Sequence, residues 1–218
     1  CDMRTLEHLH YTPAPDIVHE AAGHAPFLAD RSYADYLRAY GEVSRKAIYS
    51  KADTDIYRAI RELSDVKEDP QSTPNDISNA QTRLDQAVAD CKYISEAAYL
   101  SRMNWWTVEY GLVGDLSEPK IYGAGLLSSV GESYSCLKPD VKKIPCDASC
   151  IEVSYDITRP QPQLFVTPSF GKLTEVLEEV SKTMAYQIGG PASLEKAKTA
   201  KDCTTAVLSG SDVQISGT

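Results

Sequence analysis

The stretch His19-Glu20-Ala21-Ala22-Gly23-His24 sets two of the chain's four histidines five residues apart, with an acid beside the first and a glycine before the second. Histidines flanking a glutamate are typical of metal sites. In the zinc peptidase pattern they stand four residues apart on one helix face, with the glutamate as general base. The step here is one residue longer. At about 100° per residue, it turns a regular helix by about 140°, so the two imidazoles diverge unless they converge at the helix's end. Gly23 permits such an end. The spacing argues against a peptidase and for an iron site completed by a distant carboxylate.

Upstream, Pro13 and Pro15 force extended backbone just before Asp16, which is placed to cap the helix that carries the histidines. Downstream, Tyr33, Tyr36, Leu37, Tyr40 and Val43 recur at three and four. This predicts an amphipathic helix starting at a serine or aspartate cap near Ser32. A second helical run reaches about Leu63. Residues 65–76, with charges and two prolines, read as an exposed loop. From Ile77 the stripe Ala80, Leu84, Ala87, Cys91, Ile94, Ala98 and Ser101 predicts one long helix. It leads into Asn104-Trp105-Trp106-Thr107-Val108-Glu109-Tyr110-Gly111, with Gly111 and Gly114 closing it.

In the small-residue stretch 121–132 the backbone can approach a neighbour closely. It lacks the Gly-Lys-Ser/Thr ending of a phosphate cradle. A strand is predicted over residues 151–155. A helix follows with Leu173, Val176, Leu177, Val180 and Met184 on its apolar face, and residues 204–216 form a small hairpin around Gly210-Ser211. The fold class is mainly α with short β elements (α+β), in one domain without internal repeats.

The chain has 218 residues and a net charge of -9, from 31 acidic against 22 basic residues. That balance argues against a nucleic-acid surface, and neither a signal peptide nor a membrane span is visible. Cysteines at 1, 91, 136, 146, 150 and 203 are irregularly spaced. A chain of this size needs no staples, so reduced thiols in the cytoplasm are expected. Cys146 and Cys150 read as two thiols in an exposed loop, since no second ligand pair lies nearby to make a zinc knuckle. The start at Cys1-Asp2-Met3 reads as a piece cut from a longer protein.

Two histidines need a third ligand. Glu109 is the candidate, because an acid in an apolar, aromatic setting is costly to bury unless it is paired or metal-bound. The plainer alternative is an acid hydrogen-bonded to a helix end.

Three blocks now carry a family resemblance: residues 11–24, the run Trp105-Trp106-Thr107-Val108-Glu109-Tyr110-Gly111-Leu112, and Tyr122-Gly123-Ala124-Gly125-Leu126-Leu127-Ser128-Ser129. In that order they resemble the pterin-dependent aromatic amino acid hydroxylases, and residues 155–188 look like that family's later strand and helix. The resemblance implies a helical catalytic core holding a mononuclear non-haem iron(II) on His19, His24 and Glu109. It places Arg4 on the substrate carboxylate and Asp16 on that arginine. It places Thr12, Gly125 and Ser128 at the amino acid's polar end, and Pro15, Trp105 and Tyr110 around its ring. Glu20 and Glu132 would assist the step at the tetrahydrobiopterin, Glu20 also contacting that cofactor.

The implied reaction is ring hydroxylation by molecular oxygen, one atom entering the substrate and the other the pterin. Trp105 at the ring pocket favours phenylalanine as substrate, giving tyrosine. Ala14, Asn104 and the long connection 45–100 depart from the family pattern. The last suggests a helical insertion in a bacterial subgroup. On this reading residues 1–218 are the C-terminal part of one catalytic domain. The upstream segment that supplies much of the pterin pocket would precede Cys1, so this piece alone is not expected to be active; no regulatory domain or tetramerisation helix is visible. The rival readings are a non-catalytic or merely metal-binding domain of the same fold, and a zinc hydrolase.

Overall fold

Asp30 begins the first long helix. Its carboxylate accepts from the Tyr33 N–H, and α1 (Arg31–Ser44) then buries Tyr33 and Tyr36 on one face, as the tyrosine spacing predicts. The computed structural model describes residues 15–157 and 160–200, with the backbone of 206–209 and 214–217. Arg4 and Thr12 lie outside the described residues. The chain divides into two compact units, residues 1–45 with 99–182 and residues 46–98 with 183–218.

The first unit is built on a four-stranded mixed sheet in the order β2-β1-β4-β3, from β1 (Leu112–Val113), β2 (Lys120–Ile121), β3 (Lys142–Pro145) and β4 (Gln163–Thr167). β4 runs parallel to both neighbours and buries Leu164, Phe165, Val166 and Thr167, the continuous burial of a central strand. Leu112, Leu126, Cys136, Leu164 and Val166 form one core cluster. An aromatic cluster lies beside α1, where the Tyr33 ring stands 5.1 Å from Phe170 and 5.8 Å from Tyr122. Phe170 opens α7 (Phe170–Ser181), whose buried face is Leu173, Val176, Leu177 and Val180, as predicted; Met184 lies beyond its end.

The expected strand over 151–155 is instead a 3-10 turn (Ala148–Glu152) followed by extended chain. Asp147 caps that turn by accepting from the Ser149 N–H, and a capped turn competes locally with strand pairing. Cys146 and Cys150 are buried, not exposed. The Cys146 N–H continues the β3–β4 ladder by donating to the Val166 carbonyl, which draws this corner into the core. The bond between the two thiols, then burial, raises the pKa of Cys150.

The second unit holds a helical hairpin of α2 (Lys51–Glu68) and α3 (Pro74–Asp90). Ser50 with Asp53, and Thr73 with Asp76, form reciprocal capping boxes at the two starts. The second box sits inside the stretch expected to be an open loop, so helix extends further on both sides of the connection than the composition suggested. The predicted helix from Ile77 to Ser101 is two helices. Cys91 leaves α3 in an extended conformation, and α4 (Glu96–Asn104) restarts after Ser95, whose hydroxyl accepts from the Ala98 N–H. A cap outweighs an apolar stripe here because it ends the backbone ladder directly.

Glu96 explains the restart. Its buried carboxylate accepts from the Ile48 N–H at 3.1 Å, the Ala185 N–H at 2.7 Å and the Lys196 ammonium at 3.1 Å. These bonds gather α8 (Ala185–Ile188) and α9 (Gly190–Ala200) around a small core of Ile48, Ala185, Ala197 and Ala200. The expected hairpin is present as β5 (Ala206–Ser209) paired antiparallel with β6 (Gln214–Gly217). No helix among the described residues is long and apolar enough to cross a membrane.

Candidate metal centre

The histidine pair lies in a π-helical turn (His19–His24) rather than at a helix end. Asp16 starts the element as expected, its Oδ1 accepting from the His19 N–H at 2.9 Å. The turn closes with a step of five residues instead of four, the Ala25 N–H donating to the Glu20 carbonyl. Residues five apart then share a face. This is how a spacing that diverges on an α-helix brings two imidazoles together. Gly23 has a different task from the one expected. Its missing side chain lets the turn lie against Ala124 at the start of α5 (Ala124–Ser128).

Glu109 ends a second π turn (Trp105–Glu109), which follows α4 directly and closes with the Tyr110 N–H on the Trp105 carbonyl at 2.8 Å. Thr107 braces it. Its hydroxyl donates to the Met103 carbonyl at 2.7 Å and accepts from the Tyr36 hydroxyl of α1 at 2.8 Å. Both predicted ligand segments thus lie where the helical ladder changes from a four-residue to a five-residue step.

His19 Nε2 and His24 Nε2 stand 3.0 Å apart. They lie 3.4 and 3.5 Å respectively from the two Glu109 carboxylate oxygens. Two donors each about 2.1 Å from one ion and at right angles stand about 3.0 Å apart, so this small triangle has the size of three adjacent ligand positions on one side of a first-row metal. Two ring nitrogens so close need a shared proton or a cation between them. His19 Nδ1 is 2.9 Å from Ser128 Oγ. With that nitrogen protonated and donating to the hydroxyl, Nε2 keeps its lone pair for a metal. Among the described residues this is the one group of three His, Cys, Asp or Glu side chains with metal-ligand spacing.

The other predicted residues fall around this triangle unevenly. Glu20 and Pro15 are exposed, and Asp16 is buried. Gly125 lies beneath the Tyr110 ring, where a Cβ would come within 2.9 Å of Cε2. Glu132, in α6 (Val130–Ser135), is half-buried; its pKa is raised by desolvation, against an opposing bond from the Gln161 N–H. Trp105 is stacked on both faces, with Tyr110 at 4.5 Å and Tyr155 at 4.3 Å between ring centroids. Only its edge remains open to a ligand.

Three residues escaped the sequence reading. Tyr155 completes the stack but stands in a stretch misread as strand. Gln161 accepts from Trp105 Nε1 at 3.4 Å, and nothing in its composition marks it except a proline on each side. Tyr33 is buried near Glu109, and burial, then that negative charge, raise its pKa. Tyrosines rather than aliphatic residues at 33, 36 and 40 of α1 were the available sign.

A family model described as biopterin-dependent aromatic amino acid hydroxylase matches residues 2–59 and 89–189. The phenylalanine-4-hydroxylase of Bos taurus is 31% identical over 175 residues, covering 80% of this chain and 29% of that protein. That of Vibrio cholerae is 27% identical over 187 residues, covering 85% of this chain and 49% of that one. The structure of Chromobacterium violaceum phenylalanine hydroxylase with bound oxidized Fe(III) aligns with a TM-score of 0.56 at 25% identity, covering 98% of this chain and 59% of that one. The chain therefore spans under a third of the bovine relative and about half of the Vibrio relative.

Proposed function

The chain belongs to the biopterin-dependent aromatic amino acid hydroxylase family, and we propose that it carries the iron site of an enzyme that hydroxylates phenylalanine to tyrosine with tetrahydrobiopterin and molecular oxygen. The observation that carries this reading is the donor triangle of His19, His24 and Glu109. Two neutral imidazoles and one carboxylate would hold a divalent iron with residual positive charge, able to take further ligands. When bound, the metal supplies oxygen activation together with the reduced pterin.

The chain's own residues do the positioning. Ser128 sets the His19 tautomer, and the Tyr36–Thr107 bond holds the turn that presents Glu109. Trp105, fixed between Tyr110 and Tyr155, offers its edge to the substrate ring, with Pro15 as a further wall. Glu132, held partly out of water, is suited to pass a proton near the pterin, with Glu20 on the outer side of the histidine turn. Arg4, oriented by Asp16, would take the substrate carboxylate, with Thr12, Gly125 and Ser128 at the polar end. Residues 45–100 then form an insertion within the catalytic domain.

The test is pterin-dependent tyrosine formation from phenylalanine by the iron-loaded full-length protein. The activity and one bound iron should be lost together in His24→Ala and Glu109→Ala. A ligand variant that keeps both would overturn the assignment.

A further inference from the structure

Gln161 lies between Pro160 and Pro162 and is only 4% exposed. Neither proline carries an N–H, so Gln161 supplies the one backbone donor of that tripeptide, and Pro162 restricts it to extended backbone. That N–H opposes the rise that burial gives the Glu132 pKa. The side chain works in two further directions. Its Nε2 donates to the Asp156 carbonyl at 2.9 Å, and its Oε1 accepts from Trp105 Nε1. The Pro162 carbonyl in turn accepts from the Lys142 N–H at the start of β3, which anchors this corner to the sheet.

The stacking of Tyr110 and Tyr155 fixes the plane of the Trp105 ring but leaves rotation within that plane. The indole N–H is its one strong directional handle, and Gln161 holds it. We propose that Gln161 is a positioning residue whose side chain, tied to the Asp156 carbonyl, sets the Trp105 edge on the amino acid side of the site. The proposal rests on the functional reading above, which puts the Trp105 ring beside the aromatic substrate. The competing view is that Gln161 merely satisfies a proline-rich corner, and the two views differ in what substitution moves.

Gln161→Met keeps the side-chain length and removes both side-chain bonds. Gln161→Glu keeps an acceptor for Trp105 and loses the donor to Asp156. In the iron-loaded full-length protein, Gln161→Met should raise the KM for phenylalanine and the tetrahydropterin consumed per tyrosine formed, each by about fivefold, the ratio that one lost hydrogen bond corresponds to. It should also shift the Trp105 emission, identified by its absence in Trp105→Phe. Gln161→Glu, which keeps the acceptor for Trp105, should restore the emission and bring the KM and the consumption ratio back toward the native values. If both variants keep the native KM and ratio while only the melting temperature falls, Gln161 is structural and the proposal fails. If the native protein oxidises no pterin in response to phenylalanine, the functional reading fails instead. Emission then still decides, since unchanged Trp105 emission in Gln161→Met would show that Gln161 does not hold the ring.

Discussion

A Cβ placed on Gly23 would lie 2.8 Å from the Cβ of Ala124 and 2.9 Å from its Cα, so the turn that carries both histidines packs directly onto the start of α5. Backbone atoms cannot swing aside as a flexible side chain would. Gly23→Ala is expected to cost about 1–3 kcal/mol and to weaken iron binding by moving the two imidazoles. Gly41 in α1 has nothing within 4 Å of its would-be Cβ, so Gly41→Ala should instead stabilise by about 0.5–1 kcal/mol. Chemical denaturation and iron per chain, measured on both variants, check the contrast. Equal effects would show that the Gly23 contact is unimportant.

Ser128 touches the proposed iron site through His19. Losing the hydroxyl should leave the ring in place but free its Nδ1, and weakening of about 10–100-fold in iron affinity is the usual consequence of removing such a partner. Chelator competition measures it. Ser128→Ala should fall between the native protein and His24→Ala, and an affinity equal to native would remove Ser128 from the site.

Glu132 gives a pH dependence of definite sign. Its folded pKa is raised by burial, so its contribution to stability is fully present below the ordinary carboxyl value and is lost as pH rises through the folded value. Glu132→Gln carries no such loss. The melting temperature of this variant relative to native should therefore increase between pH 4 and pH 7, and a difference that stays flat or reverses would contradict the burial argument.

In the second unit, Glu96→Ala would leave two buried N–H groups and Lys196 without their acceptor. An expected loss of about 2–4 kcal/mol follows from the unsatisfied donors rather than from the ion pair itself, since Lys196 is partly exposed and also reaches the Thr183 carbonyl. Urea denaturation gives the number. A loss within 0.5 kcal/mol would place it among ordinary surface substitutions.

Much of this arrangement was legible in the chain. The tyrosine stripe with Asp30 or Ser32 at its head gave α1, and the apolar face around Leu173 and Val176 gave α7. The His19–His24 step correctly excluded a shared α-helical face and sent attention to Glu109. The stripe from Ile77 to Ser101 misled because periodicity counts side chains, whereas Ser95 and Cys91 interrupt the backbone ladder. The region around Tyr155 misled because a 3-10 turn and a strand draw on similar short apolar runs. The π turns left no mark at all, since a single extra residue within a turn alters neither composition nor polarity.

Those two turns also say something about inheritance. A π turn holds one residue more than the α-helical turn it stands in for, so removing one residue there restores the four-residue step. Deleting a single alanine between His19 and His24 would leave every donor atom encoded yet pointing elsewhere, whereas many substitutions of Ala21 or Ala22, both exposed, would pass unnoticed. Reading-frame-preserving losses of one residue should therefore be far rarer than substitutions in these two segments among functioning descendants of this gene.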